Sequence, residues 1–174
     1  NAFRTQGFRF AIWVVLIDIA KGAIAAGLVP LWGLVALGPP APPLIQALVC
    51  GFAAVVGHCY PVFYGFRGGK GAATAVGALA VIQPVTLLPM LVTWLLVLVL
   101  TGWVGLATML AALSLVPTLI WLDAPAPTIG FGLLLAAFIV FTHRANIRRL
   151  LDGTENRFDR IRLSYWLRRG GRKS

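Results

Sequence analysis

"TIGFGLLLAAFIVFTHRANIRRL", residues 128–150, holds no charge from Thr128 to Thr142, then places Arg144, Arg148 and Arg149 within the next seven positions. A bilayer edge demands that change. Hydrocarbon excludes charge, and lysines and arginines collect where a span emerges. The whole chain has the same grain: of 174 residues, 59% are hydrophobic, 11% are charged and only five are acidic. That is too little charge to clothe a soluble domain. The composition predicts an all-α, polytopic transmembrane helix bundle. Backbone in lipid must satisfy its own hydrogen bonds, and the alternating strands of a barrel are missing.

Six apolar segments follow from the pattern: residues 10–29, 44–63, 71–82, 85–100, 103–122 and 128–142. Ten of the fifteen Lys and Arg residues fall between Arg144 and Lys173; Arg4 and Arg9 precede the first segment, and Arg67 and Lys70 separate the second from the third. If six helices alternate, all three groups lie on one side, and the opposite loops carry no Lys or Arg. The chain is expected to be one domain, residues 1–174, with a basic cytoplasmic tail at 144–174. Its net charge of +10 then faces anionic lipid headgroups, so membrane lipids are partners and nucleic acid is not. Cys50 and Cys59 lie about 13 Å apart along one helix, too far for a disulfide. No metal-ligand cluster accompanies them.

"GHCYPVFYGFRGGKGAAT", residues 57–74, interrupts the apolar pattern with four glycines between Gly65 and Gly71, together with Arg67 and Lys70. Gly68, Gly69 and Gly71 permit close backbone approach to a ligand, and Lys70 opens a helix whose N–H groups and dipole favour an anion. The loop departs from a phosphate-binding Walker A loop. Gly65 is one position too near Gly69, and Gly71 stands where Ser or Thr would hold magnesium. The sequence leaves open whether this is an anion site or a basic turn that only orients the chain.

A second cluster follows the last span. His143, Asn146 and Ile147 share a helix face by spacing, and a polar pair at the membrane boundary suggests a pocket. Arg144 and Arg148 form a neighbouring stripe that suits a basic juxtamembrane helix. Asp18 and Lys21, three apart inside the first segment, read as an intrahelical ion pair that lets the helix insert. His58 reads either as a structural hydrogen-bonding residue or, from its nearness to the loop, as a catalytic one.

These stretches resemble the signatures of the bacterial acyl-phosphate:glycerol-3-phosphate acyltransferases, the PlsY family. Residues 57–74 are similar to Gly-His-x-x-Pro-x-x-x-x-Phe-Lys-Gly-Gly-Lys-Gly-x-Ala-Thr, with Arg67 in place of Lys. "HRANIRRLLDGTE" is similar to His-Arg-x-Asn-Ile-x-Arg-Leu-x-x-Gly-x-Glu. "NAFRTQG" followed by "DIAKG" is similar to the end of a third signature and the helix behind it. The resemblance implies a seven-helix membrane enzyme whose first helix precedes Asn1, taking part of the phosphate site with it. It implies that Lys70 and Arg4, with Asn1, bind the phosphate of glycerol 3-phosphate, that Gly68, Gly69 and Gly71 shape the loop, and that His143 and Asn146 line the pocket. It further implies that Glu155 braces the motif and that His58 occupies the Gly-His position. Where the family has a serine-rich stretch, this chain has Gly105 and Thr108, leaving Thr108 to replace one serine contact.

The implied reaction moves a fatty acyl group from acyl phosphate to the 1-position of glycerol 3-phosphate at the cytoplasmic face of the inner membrane. It calls for no cofactor, no metal and no obligatory protein partner. Positioning and cationic stabilisation of the leaving phosphate carry such chemistry. His143, Lys70, Asn146 and His58 are the catalytic candidates. The proton acceptor stays open between His143 and the substrate's own phosphate. No Gly-x-Ser-x-Gly elbow appears, and neither His is followed five positions later by Asp. A small anion or phosphate transporter with a re-entrant glycine loop is the rival reading, although no internal repeat supports it. A structural membrane subunit is the third.

Overall fold

The computed structural model describes residues 7–28 and 42–158. Among these residues it has seven α-helices: α1 (Phe8–Gly27), α2 (Pro43–Cys59), α3 (Ala72–Ile82), α4 (Leu87–Thr101), α5 (Val104–Trp121), α6 (Ala126–Thr142) and α7 (Arg144–Leu151). The six expected segments match α1 to α6, and the protein is a multi-pass membrane protein. Four helical stretches are long and apolar enough to cross a bilayer: Arg9–Gly27, Pro43–Tyr64, Pro84–Thr101 and Val104–Trp121. Large apolar side chains point outward, as lipid requires: Trp13, Ile17, Leu88 and Trp121 are all exposed. Asn1, Arg4 and the basic tail beyond residue 158 lie outside the described residues.

The helix ends follow local chemistry. Proline stands in the first turn of α2 and α6, where its missing N–H costs nothing. Gln83 and Pro84 stop α3 after 11 residues, about 16 Å of helix and half a bilayer. A helix this short is tolerable because protein surrounds it: Thr74, Ala75, Gly77, Ala78 and Leu79 are buried.

Packing divides the chain into two compact units between Leu87 and Leu88. In the first, small residues let three helices touch. A methyl at Gly22 of α1 would overlap the Thr74 carbonyl of α3, and a methyl at Gly77 of α3 would overlap the Ile19 carbonyl of α1. Each glycine therefore rests on the carbonyl three residues before the other glycine, a reciprocal crossing of the small-residue kind that holds membrane helices together. Gly51 of α2 closes the triangle; a methyl there would come 3.1 Å from Ala78 Cβ and 3.5 Å from Ala26 Cβ.

In the second unit, α4 packs on α5 through Val97, Leu98 and Ala107. Leu115, Leu119, Leu135 and Ile139 are buried where α5 meets α6. Pro117 lies inside α5, and the nearby Thr118 and Ser114 hydroxyls donate to Ser114 O (2.7 Å) and Ala111 O (2.8 Å). The α6 and α7 axes bend by 55° at His143.

Candidate active site

The first unit builds its polar site where α2 ends. A helix leaves its last carbonyls without intrahelical donors. Here the glycine loop supplies them: Gly68 N donates to Cys59 O and Gly69 N to His58 O, both at 3.1 Å. The loop between is a short turn, Val62–Tyr64. It is closed by Tyr64 N and Phe66 N donating to Pro61 O at 3.1 and 3.0 Å. Gly71 then adopts φ 82°, in the left-handed region, and caps α3 without a side-chain hydrogen bond. Lys70 is exposed immediately before this cap. The first-turn N–H groups of α3 and the positive end of its dipole therefore open beside a cation, an arrangement suited to an anion. Thr74, in that first turn, is fully buried, and its hydroxyl has no hydrogen-bond partner among the described residues.

Below the loop, the expected ion pair is present and has a third member. The Lys21 ammonium donates to Asp18 Oδ1 at 2.7 Å and contacts His58 Nδ1. His58 Nδ1 lies 3.3 Å from the same carboxylate oxygen. Three ionisable groups inside membrane helices thus satisfy one another, which lowers the cost of placing each there.

The second unit builds its site at the α6–α7 bend. His143 is 3% exposed and Asn146 is 4% exposed. His143 Nδ1 lies 2.7 Å from Ile139 O. A carbonyl oxygen only accepts, so Nδ1 carries the proton and Nε2 is the basic nitrogen. The His143 carbonyl accepts from both Asn146 N (2.8 Å) and Ile147 N (3.0 Å), which starts α7 in its new direction. Asn146 Nδ2 donates to Glu155 Oε1 at 2.7 Å, and Arg149 Nε donates to Glu155 Oε2 at 2.6 Å. Both carboxylate oxygens are thereby engaged, and the Glu155 side chain is 6% exposed. Gly105 makes room for this network, since a methyl there would lie 2.6 Å from Asn146 Nδ2. The segment after α7 folds back on the α4–α5 connection: Arg157 Nε donates to Thr101 O at 2.9 Å and its guanidinium stacks 4.9 Å above Trp103.

The profile of the glycerol-3-phosphate acyltransferase family matches residues 1–153. The chain belongs to that family. A glycerol-3-phosphate acyltransferase of Chlorobium luteolum is 39% identical over 186 residues, covering 90% of this chain and 79% of the relative. That of Chlorobaculum tepidum is 38% identical, covering 90% and 78%. Two solved structures of PlsY, an integral membrane glycerol 3-phosphate acyltransferase, superpose with a TM-score of 0.79 at 34% identity. They cover 91% of this chain and 77% and 76% of theirs. One is the lysophosphatidic acid form and the other the glycerol 3-phosphate form.

Within a glycerol-3-phosphate acyltransferase of this build, several expected site residues also make structural contacts. The N–H groups of Gly68 and Gly69 go to α2 carbonyls rather than outward. Thr108 Oγ1 donates to Val104 O (2.9 Å) and accepts from Trp94 Nε1 (3.2 Å), so it sits in the α4–α5 packing. A serine at position 105 would meet the Asn146 amide. Glu155 braces Asn146 and Arg149, one through each carboxylate oxygen. His58 is held by α1. Sequence reasoning missed Arg149 as the partner of Glu155, and only the spacing of Glu155 six residues after it, across the turn that ends α7, hinted at the pair.

Glu155→Ala is expected to lower the thermal unfolding midpoint of the purified protein. It removes charge-assisted hydrogen bonds worth about 1.5–3 kcal/mol each and leaves the buried Asn146 amide without that acceptor. Glu155→Gln, which keeps one acceptor oxygen, should lose less; equal midpoints for the Ala variant and wild type would refute the brace.

Proposed function

We propose that the chain transfers a fatty acyl group from acyl phosphate to the 1-hydroxyl of glycerol 3-phosphate. The hydroxyl oxygen bonds to the acyl carbonyl carbon, the bond to the phosphate oxygen breaks, and phosphate leaves with the electron pair. Lysophosphatidic acid and inorganic phosphate result. The observation that carries the reading is the glycine loop seated on the end of α2, which sets Lys70 at the start of α3. A cation beside the first turn of a helix suits the glycerol phosphate and opposes the charge growing on a leaving phosphate. His143 Nε2 is the proton acceptor in this reading, and Asn146 is held beside it on α7 by Glu155.

The acyl donor is a mixed anhydride, reactive enough that no covalent enzyme intermediate is required. The concentration of Lys and Arg around the same chain turns supports a cytoplasmic site in a bacterial inner membrane, where glycerol 3-phosphate is dissolved and the acyl chain stays in lipid. Purified protein in lipid should release inorganic phosphate from acyl phosphate only when glycerol 3-phosphate is supplied. Release without the acceptor, or acylation from a thioester alone, would refute the donor assignment.

A further inference from the structure

Gly68 and Gly69 both face His58, but they meet different parts of it. A methyl at Gly68 would overlap the His58 carbonyl oxygen and lie 2.7 Å from Pro61 Cδ. That obstacle is backbone and a rigid ring. A methyl at Gly69 would instead overlap Nε2 of the His58 imidazole, with Cε1 at 2.8 Å and Cδ2 at 3.0 Å. Gly69 does not adopt a left-handed backbone, so conformation alone admits an alanine. The ring is what forbids it.

That ring is fixed from its other edge. Asp18 and Lys21 hold Nδ1 from α1, and His58, Asp18 and Lys21 have side chains 16%, 17% and 39% exposed. One edge of the imidazole is therefore clamped by a charge pair and the other abuts the loop, one residue before Lys70. A histidine so placed has Nδ1 engaged by the Asp18–Lys21 pair and Nε2 facing the backbone of Gly69. We propose that His58 is a positioning residue. Its ring, anchored by the Asp18–Lys21 pair, is the wall against which Gly69 seats the loop, and it thereby sets Lys70 for the phosphate of glycerol 3-phosphate. This inference rests on the reading of the loop as the phosphate site.

The structure allows a test that a generic loss of stability would not mimic. KM and kcat for glycerol 3-phosphate are measured in lipid for His58→Ala, Gly68→Ala, Gly69→Ala and the two double variants that include His58→Ala. Gly69→Ala should raise KM by about a hundredfold, the scale of a misplaced binding group. His58→Ala should raise KM more than it lowers kcat, whereas loss of a general base would do the reverse. Combining His58→Ala with Gly69→Ala should bring KM back at least about tenfold from the Gly69→Ala value, because the forbidding ring is gone. Combining it with Gly68→Ala should bring no recovery, because the obstacle there is backbone.

Additive losses at Gly69, or equal rescue at both glycines, would overturn the proposal. Where Gly69→Ala yields no folded protein, the same comparison is read on the yield of monodisperse protein; recovery only in the Gly69 double variant supports the proposal, and its absence overturns it. Lys70→Ala in the same series separates the two readings. If its KM is unchanged, the phosphate-site assignment fails, while the glycine rescue still reports, through folded yield and thermal midpoint, whether His58 seats the loop.

Discussion

Lys70→Ala is expected to raise the KM for glycerol 3-phosphate about ten- to a hundredfold, with kcat changing far less. A charge-assisted hydrogen bond contributes about 1.5–3 kcal/mol, and removing it from a phosphate grip costs that much binding. The geometry singles out Lys70 over its neighbour Arg67. Lys70 directly precedes Gly71, whose φ of 82° turns the chain into α3, so its ammonium and the first N–H groups of the helix can serve one anion. Lys70→Arg should recover part of the loss, since charge is kept while the point-like ammonium is replaced by a wider planar group. Steady-state kinetics with glycerol 3-phosphate varied at saturating acyl donor decide the matter. An unchanged KM for Lys70→Ala would reduce the loop to a turn that only obeys membrane topology.

The membrane character and the helix positions were legible because hydrocarbon leaves few choices. A run without charge has to be helix, and Gln83-Pro84 and the paired prolines had to punctuate it. The Asp18–Lys21 pair was equally legible, since residues three apart on a helix meet. Its third member was hidden. His58 is 37 positions from Lys21 in sequence and reaches it only because Gly22, Gly51 and Gly77 bring α1, α2 and α3 close together. Single glycines in apolar helices carry no pattern of their own; each has meaning only opposite the carbonyl or methyl it approaches.

The loop glycines were legible as points of close approach, and the structure adds a neighbour that spacing did not show, the end of α2. Spacing says that Gly68 and Gly69 tolerate a neighbour at contact distance. It cannot say whether that neighbour is a phosphate or the end of α2, and the folded chain gives their N–H groups to His58 and Cys59 carbonyls. Spacings of three and four put His143, Asn146 and Ile147 on one helix face, and the structure buries His143 and Asn146 together; what spacing did not show is the 55° bend between α6 and α7. The His143 carbonyl, shared by two amides, ends one helix and begins the next. The imidazole and the Asn146 amide are both buried beside that bend, while Arg144 is exposed.

His143→Gln is expected to lower kcat about 10²–10⁴-fold with a much smaller change in KM, the signature of a lost general base. The argument begins with a single hydrogen bond. Nδ1 lies 2.7 Å from the Ile139 carbonyl one turn earlier in α6, which fixes the proton on Nδ1 and leaves Nε2 as the nitrogen able to take one. Burial holds the ring in that orientation, because a side chain 3% exposed has little room to flip. Glutamine can still donate and accept hydrogen bonds, so any holding role survives the substitution, while proton transfer does not. His143→Ala should therefore match His143→Gln in kcat and differ from it chiefly in KM. A near-normal kcat for the Gln variant would remove His143 from proton transfer and leave the phosphate of the substrate as the acceptor. A raised KM with kcat intact would assign the imidazole to the grip on the phosphate instead. Measuring both constants for both variants distinguishes the three outcomes, and the loss in kcat is the one expected for a histidine whose Nδ1 the α6 backbone engages, leaving Nε2 as the basic nitrogen.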